Sequence, residues 1–319
     1  MLKATTARAL AALLGAAVFG PAARAQSPDP PAVRSQMLVS TDWLQRHLAD
    51  SGLVILHVGR DRRQYDSGHI PGARFVALDE LVQQRQNSLN ELPSLADLQA
   101  LFEHLGVGND ARIILYGESG GLLAARAFFT LDYLGHGDHA ALLDGGLEKW
   151  TAESRPLTTQ PAHPVPAHFT PHLHAKVLVT TALMRDLSHV VDSKSSAGYA
   201  LLDARPRPEF DGAVPSEAVP KAGHIAGARS LYWKTLLRSG ADPALLSEPD
   251  LRRAFTDAGA APAKLVVTYC RTGMQSSFTY FVARYLGYRA AMYDGSVYEW
   301  VHAAGHELVV SPAGPAARK

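Results

Sequence analysis

Cysteine is nearly missing from this chain: 319 residues carry one, Cys270. A lone cysteine excludes an internal disulfide, a multi-cysteine zinc or iron–sulfur site and a Cys-x-x-Cys redox pair. Excess charge is missing too. Lys and Arg total 31 against 30 Asp and Glu, a formal net charge of +1, and no run of like charge marks a tail. That balance argues against a dedicated nucleic-acid binder, so any bound anion must be captured by a few placed groups. No run of about 20 apolar residues, the length needed to span a bilayer, is present. What the chain does have is core: 47% of its residues are apolar and only 19% charged, which excludes global disorder. At roughly 150 residues per domain, the length suits about two domains.

Residues 1–25 differ from the rest. Lys3 and Arg8 precede an apolar stretch from Ala9 to Phe19, followed by Gly20-Pro21 and Ala23-Arg24-Ala25. This is the pattern of a cleaved secretory signal, with no cysteine after it to carry a lipid. The expectation is a mature chain starting near Gln26 in a periplasm. Without Lys3, Arg8 and Arg24 the 31 basic residues become 28 against 30 acidic ones, a net charge of −2.

The remainder repeats itself. Gly68-His69-Ile70-Pro71-Gly72-Ala73-Arg74 recurs as Gly223-His224-Ile225-Ala226-Gly227-Ala228-Arg229, 155 positions later. Around each block the same order is expected: an apolar strand (Leu53 to Gly59, Ala200 to Ala204), the Gly-His-Ile block, then a helical stretch. A second apolar strand follows (Arg112 to Tyr116, Lys264 to Tyr269), with a Gly-containing turn and a helix (Leu122 to Leu134, Ser277 to Leu286). Each copy ends in Leu143-Asp144-Gly145-Gly146 or Tyr293-Asp294-Gly295-Ser296 with Trp150 or Trp300. Strands alternating with helices of this length predict an α/β fold: a parallel sheet with helices on both faces in each half. The boundaries fall at 36–157 and 176–311. Between them, 158–175 carries Pro161, Pro164, Pro166 and Pro171 without periodicity and reads as an extended linker. Its His163, His168, His172 and His174 lack both fixed geometry and an adjacent acidic or thiol partner, so no metal is expected.

The paired Gly-His-Ile-x-Gly-Ala blocks, the Asp-Gly-x-x-x-x-Trp endings and a lone cysteine at the mouth of a strand resemble the tandem-domain rhodaneses, the thiosulfate and 3-mercaptopyruvate sulfurtransferases. The resemblance covers residues 36 to 311. It implies two tandem rhodanese-like domains, the first catalytically silent and the second carrying the cysteine. Aligning Arg112-Ile113-Ile114-Leu115 with Lys264-Leu265-Val266-Val267 places Glu118 opposite Cys270. A carboxylate accepts no sulfur, so the first domain reads as a scaffold.

Leu265 to Tyr269 reads as a buried strand, Cys270-Arg271-Thr272-Gly273-Met274-Gln275 as a loop, and Ser276 or Ser277 as the start of a helix. Such a turn offers backbone amides and the positive end of a helix dipole to an anion. That suits a thiolate, because a helix N-terminus and an adjacent cation commonly lower a cysteine from about 8.5 to about 7.5 or below. Arg271 is the adjacent cation, and Gly273 lets the backbone curl. The chemistry the resemblance implies is covalent: Cys270 takes sulfane sulfur from a small-molecule donor and passes the persulfide sulfur to cyanide or a thiol, with no cofactor. By the same resemblance Thr272, Gly273, Met274 and Gln275 are expected to line the substrate position.

By the same resemblance Arg205 reaches the active-site mouth to bind the donor's anionic end. Pairing with Asp203 or Glu209 is the alternative. His224 reads as structural because His69 stands in the same place, and Asp294 and Trp300 follow Asp144 and Trp150. A phosphatase of the Cys-x5-Arg type is disfavoured because Ser276 stands where the arginine belongs. A non-enzymatic binding module is disfavoured by the retained cysteine. Arg271 favours thiosulfate over mercaptopyruvate, while Thr272 departs from a doubly basic pattern. The expected working form is a monomer.

Overall fold

The structure, a computed structural model, describes residues 30–85, 87–192, 198–216, 218–219, 221–238, 242–303 and 306–311. The signal segment 1–25 lies outside them. The first half contains strands β1 (Leu38–Val39), β2 (Leu53–Gly59) and β3 (Arg74–Ala77), a ribbon of β4 (Gln83–Arg85) with β5 (Ser88–Glu91), then β6 (Arg112–Gly117) and β7 (Ala140–Leu143). The second half contains β8 (Leu178–Val179), β9 (Tyr199–Asp203), β10 (Arg229–Ser230), β11 (Leu265–Tyr269) and β12 (Arg289–Tyr293). Two five-stranded parallel sheets result, ordered β1-β7-β6-β2-β3 and β8-β12-β11-β9-β10. Read this way, each strand of one sheet has its counterpart at the same place in the other, and the repeat seen in the sequence is a repeat of topology.

Parallel strands covered on both faces require near-continuous apolar runs, and successive side chains alternate between the faces. In the first sheet Val54, Leu56 and Val58 join one core with Ile113 and Leu115, while Ile55, Ile114 and Tyr116 join another. In β9 and β11, Ala200, Leu202 and Val266 face the first of these cores, whereas Leu201, Val267 and Tyr269 face a third. The shared core therefore runs through both halves. Cys270, four positions beyond Val266, falls on that shared side by parity alone.

The helices Leu122–Tyr133 and Met274–Tyr285 meet there. Phe128 packs edge-on against Phe281 at 5.0 Å between ring centroids, and Phe129 against Tyr280 at 5.2 Å. Such pairs contribute about 0.5–1.5 kcal/mol each beyond their buried area. Asp132 closes the seam, accepting from Tyr280 and pairing with Arg284 at 2.9 Å. The segment 158–175 is extended as the prolines dictate, yet it is tied to the first half: Phe169 is fully buried against Phe102 and His136. His168 and His174 stand beside different carboxylates, Glu103 and Asp132. No helix among the described residues is long and apolar enough to cross a membrane.

Candidate active site

Cys270 follows the last residue of β11 and is fully buried. Its carbonyl accepts from Val297 N–H at 3.1 Å, and the carbonyl of Arg271 accepts from Tyr298 N–H at 3.0 Å. The start of the loop is thus strapped to the helix Ser296–His302. Ser296 completes the strap: its Oγ accepts from Cys270 N–H at 3.1 Å and donates to the Tyr293 carbonyl at 3.0 Å. Sequence reasoning passed over Ser296. The signal was available, since the first repeat has Gly146 there, and both residues adopt positive φ, +58° for Gly146 and +55° for Ser296. A non-glycine residue held in that region is uncommon, and its two hydrogen bonds account for it.

The helix after the loop begins at Met274, not at Ser276 or Ser277, because Gly273 turns the chain at φ +89°. A Cβ at 273 would stand 2.7 Å from the Asp294 backbone oxygen and 2.5 Å from its Oδ1. Glycine is therefore required by both conformation and space. The two serines serve the first turn instead: Ser277 Oγ donates to the Gly273 carbonyl at 2.8 Å, and Ser276 Oγ lies 3.1 Å from the same carbonyl and 3.5 Å from Cys270 Sγ. The single Ser276 hydroxyl proton can point to either acceptor. Among the described residues no side chain caps this 12-residue helix, whose first amides can therefore serve an anion at the loop. Thr272, Met274 and Gln275 surround the same turn. Thr272 is tethered through its carbonyl, Met274 is buried, and Gln275 keeps a buried Oε1 with no partner among the described residues.

The two arginines behave differently from expectation. Arg205 does not reach the mouth of the site. It is fully buried, with Nε and Nη2 on Asp203 (Nη2 at 2.6 Å), Nη1 on Ser216 Oγ at 3.1 Å and Nη2 on the Gly223 carbonyl at 2.7 Å. Four of its five N–H groups are bonded internally, which fixes the backbone around it. Arg271 is one-quarter exposed, but Glu209 grips it through Nη2 and through Nε at 3.3 Å. Its charge is already matched. His224 is structural, stacked on Phe210 with Nδ1 at 2.9 Å from the Phe210 carbonyl, as His69 is on Tyr65. Trp300 and Trp150 each donate to a backbone carbonyl.

The first half supplies two groups to the loop that the sequence did not suggest. Asn90, on β5, donates from Nδ2 to the Thr272 carbonyl at 2.9 Å. Arg126, fully buried on Leu122–Tyr133, forms a two-pronged pair with Asp294 (Nη2 to Oδ2 3.0 Å) and donates to the Asn90 carbonyl at 2.7 Å. Asp294 is the residue whose oxygens crowd Gly273. At the place equivalent to Cys270, Glu118 is partly exposed, and the next amide but one, Gly120 N–H, donates to Glu148 Oε1 at 3.3 Å.

A family model described as Rhodanese-like domain matches residues 40–153 and again 186–303. The chain is 36% identical over 281 residues to the sulfur carrier protein TtuD of Thermus thermophilus, covering 85% of this chain and 95% of that protein. It is 36% identical over 240 residues to the thiosulfate sulfurtransferase of Pseudomonas aeruginosa, covering 74% and 84%. The fold matches that of SseA from Escherichia coli, described as a 3-mercaptopyruvate sulfotransferase, with TM-score 0.70 and 24% identity over 82% of this chain and 98% of that one.

Proposed function

This chain belongs to the rhodanese family, whose relatives support sulfurtransferase activity, and from that premise we propose that it moves sulfane sulfur from thiosulfate to cyanide or a thiol through a persulfide on Cys270. The carrying observation is the position of the chain's one thiol: at the end of a buried strand, facing an uncapped helix N-terminus, with the Ser276 hydroxyl 3.5 Å from sulfur. The thiolate attacks the outer sulfur of thiosulfate, a new S–S bond forms, the donor's S–S bond breaks, and sulfite leaves with the electron pair. Cyanide then attacks the terminal persulfide sulfur, thiocyanate leaves, and the thiolate is restored. No net oxidation occurs, and neither step obliges a base. Both need the buried thiol to be uncovered.

Incubation with thiosulfate should add one sulfur atom by intact mass, removable by cyanide. Cys270→Ser should abolish both the adduct and turnover, and a variant that still turned over would end the proposal. Mercaptopyruvate is the second reading, favoured by the ion pair that matches the charge of Arg271. Side-by-side kinetics with the two donors separate them. The protein is further proposed to act as a monomer in a periplasm after removal of residues 1–25, a location that fractionation and N-terminal sequencing test.

A further inference from the structure

Glu209 lies on the short helix Arg207–Asp211 and is buried. Its carboxylate receives Nη2 and Nε of Arg271, and Oε2 also accepts from Ser216 Oγ. Ser216 in turn accepts from Arg205, which is clamped on Asp203. A continuous chain results, Asp203–Arg205–Ser216–Glu209–Arg271, in which two anions and two cations cancel. One end is anchored in β9, and the other is the residue directly after the sulfur nucleophile.

We infer that Glu209 is a specificity-determining residue: by holding Arg271 it withholds the cation beside Cys270 from the donor and limits the advantage of a dianion over a singly charged donor. This rests on the reading of Cys270 as a sulfur carrier with an anionic donor. A bidentate carboxylate fixes a guanidinium in direction as well as charge. Arg271 is thereby turned toward the Arg207–Asp211 helix, and the field at the thiol is that of a pair and not of a free cation. The loop's free amides are left as the anion's main electrostatic partners, and they treat dianion and monoanion with less discrimination than a bare guanidinium would.

The test compares Glu209→Gln, Glu209→Asp and Glu209→Gln/Arg271→Gln with the unaltered full chain. Releasing the charge should raise the ratio of kcat/KM for thiosulfate to that for mercaptopyruvate roughly threefold to tenfold, the scale of one unit charge near an anion at an intermediate dielectric. The change should fall in KM and not in kcat. Glu209→Asp, which keeps the charge, and the double variant, which removes the pair, should both stay near the original ratio.

A second readout needs no turnover: the rate of Cys270 alkylation by anionic iodoacetate relative to neutral iodoacetamide. That ratio should rise in Glu209→Gln and return in the double variant. Should Glu209→Gln fail to fold, Arg271→Gln carries the test, because the carboxylate left behind should lower the alkylation ratio below its original value. A ratio unmoved in a folded Glu209→Gln protein, or a shift that persists in the double variant, overturns the inference. A shifted alkylation ratio in a protein that turns over neither donor would overturn the proposed function, and with it the role of Glu209 in donor choice, and leave standing only the hold of Glu209 on the charge of Arg271.

Discussion

Removing Arg126 should damage the Cys270 loop from the other half of the molecule. The guanidinium has no exposure and Asp294 is 5% exposed, so water replaces nothing when one partner is cut away. Arg126→Met strands a carboxylate in the interior and orphans the Asn90 carbonyl, which accepts from Nη2 at 2.7 Å. Breaking a buried pair by removing one partner costs about 3–5 kcal/mol. The lost stability should appear as a lower urea midpoint. Turnover should fall as well, because Asp294 packs directly against Gly273, and a misplacement of about 1 Å near a nucleophile can cost on the order of a hundredfold. The control is Arg126→Met/Asp294→Asn, in which the uncompensated charge is gone. Contacting partners are not additive, so the double variant should be more stable than Arg126→Met alone. A loss below about 1 kcal/mol for Arg126→Met, or a double variant whose losses simply add, would refute the view that this pair ties the first half to the loop.

Three other outcomes follow from single groups. Ser276→Ala removes the hydroxyl at 3.5 Å from Cys270 Sγ and should slow iodoacetamide alkylation at neutral pH roughly threefold to tenfold without unfolding the protein, the scale of one ordinary hydrogen bond; an unchanged rate would show that the proton stays on the Gly273 carbonyl. His57 is fully buried, neither ring nitrogen has a partner among the described residues, and burial lowers its pKa from 6.5 to about 4. A depressed folded value means stability is present above pH 6.5 and lost as pH falls toward 4, up to about 3 kcal/mol, so His57→Phe should flatten that part of a stability-versus-pH curve. Glu118→Cys in a Cys270→Ser background should gain no cyanide-dischargeable sulfur by intact mass; a single sulfur adduct there would show that the first loop is competent once a thiol is supplied.

The repeat, the alternation of strands and helices and the position of Cys270 were legible because each rests on local periodicity or spacing. The start of the helix after Cys270 was misread for a physical reason. Ser276-Ser277 looks like an N-cap, since serine commonly accepts from the first amides. Here a left-handed Gly273 makes the turn and the serines bond backward to its carbonyl. The Asp203 alternative for Arg205 proved to be the structure's answer, and only burial could decide it. The Glu209–Arg271 pair joins residues 62 positions apart, and Asn90 reaches Thr272 over 182, separations at which no sequence spacing is diagnostic. Arg126 did leave a trace: it is the charged residue within the apolar run Leu122-Leu123-Ala124-Ala125-Arg126-Ala127-Phe128-Phe129, where a buried cation demands a partner from another element.

The two halves share one strand–loop–helix turn, so the lack of a thiol in the first is not its only difference. After Glu118, Ser119, Gly120 and Gly121 all take positive φ, whereas in the second half Gly273 alone does so between Cys270 and its helix. The first loop also receives a carboxylate of its own, Glu148, on the Gly120 amide. At the equivalent position the second half has Tyr298, which brings no carboxylate and contributes its backbone N–H to the Arg271 carbonyl. One loop amide thus meets an internal carboxylate, and among the described residues no carboxylate is bonded to the backbone amides of the other loop. What the first half contributes to the other loop is what β5 and the buried helix deliver across the interface, Asn90 on the carbonyl of Thr272 and Arg126 on the aspartate that crowds Gly273.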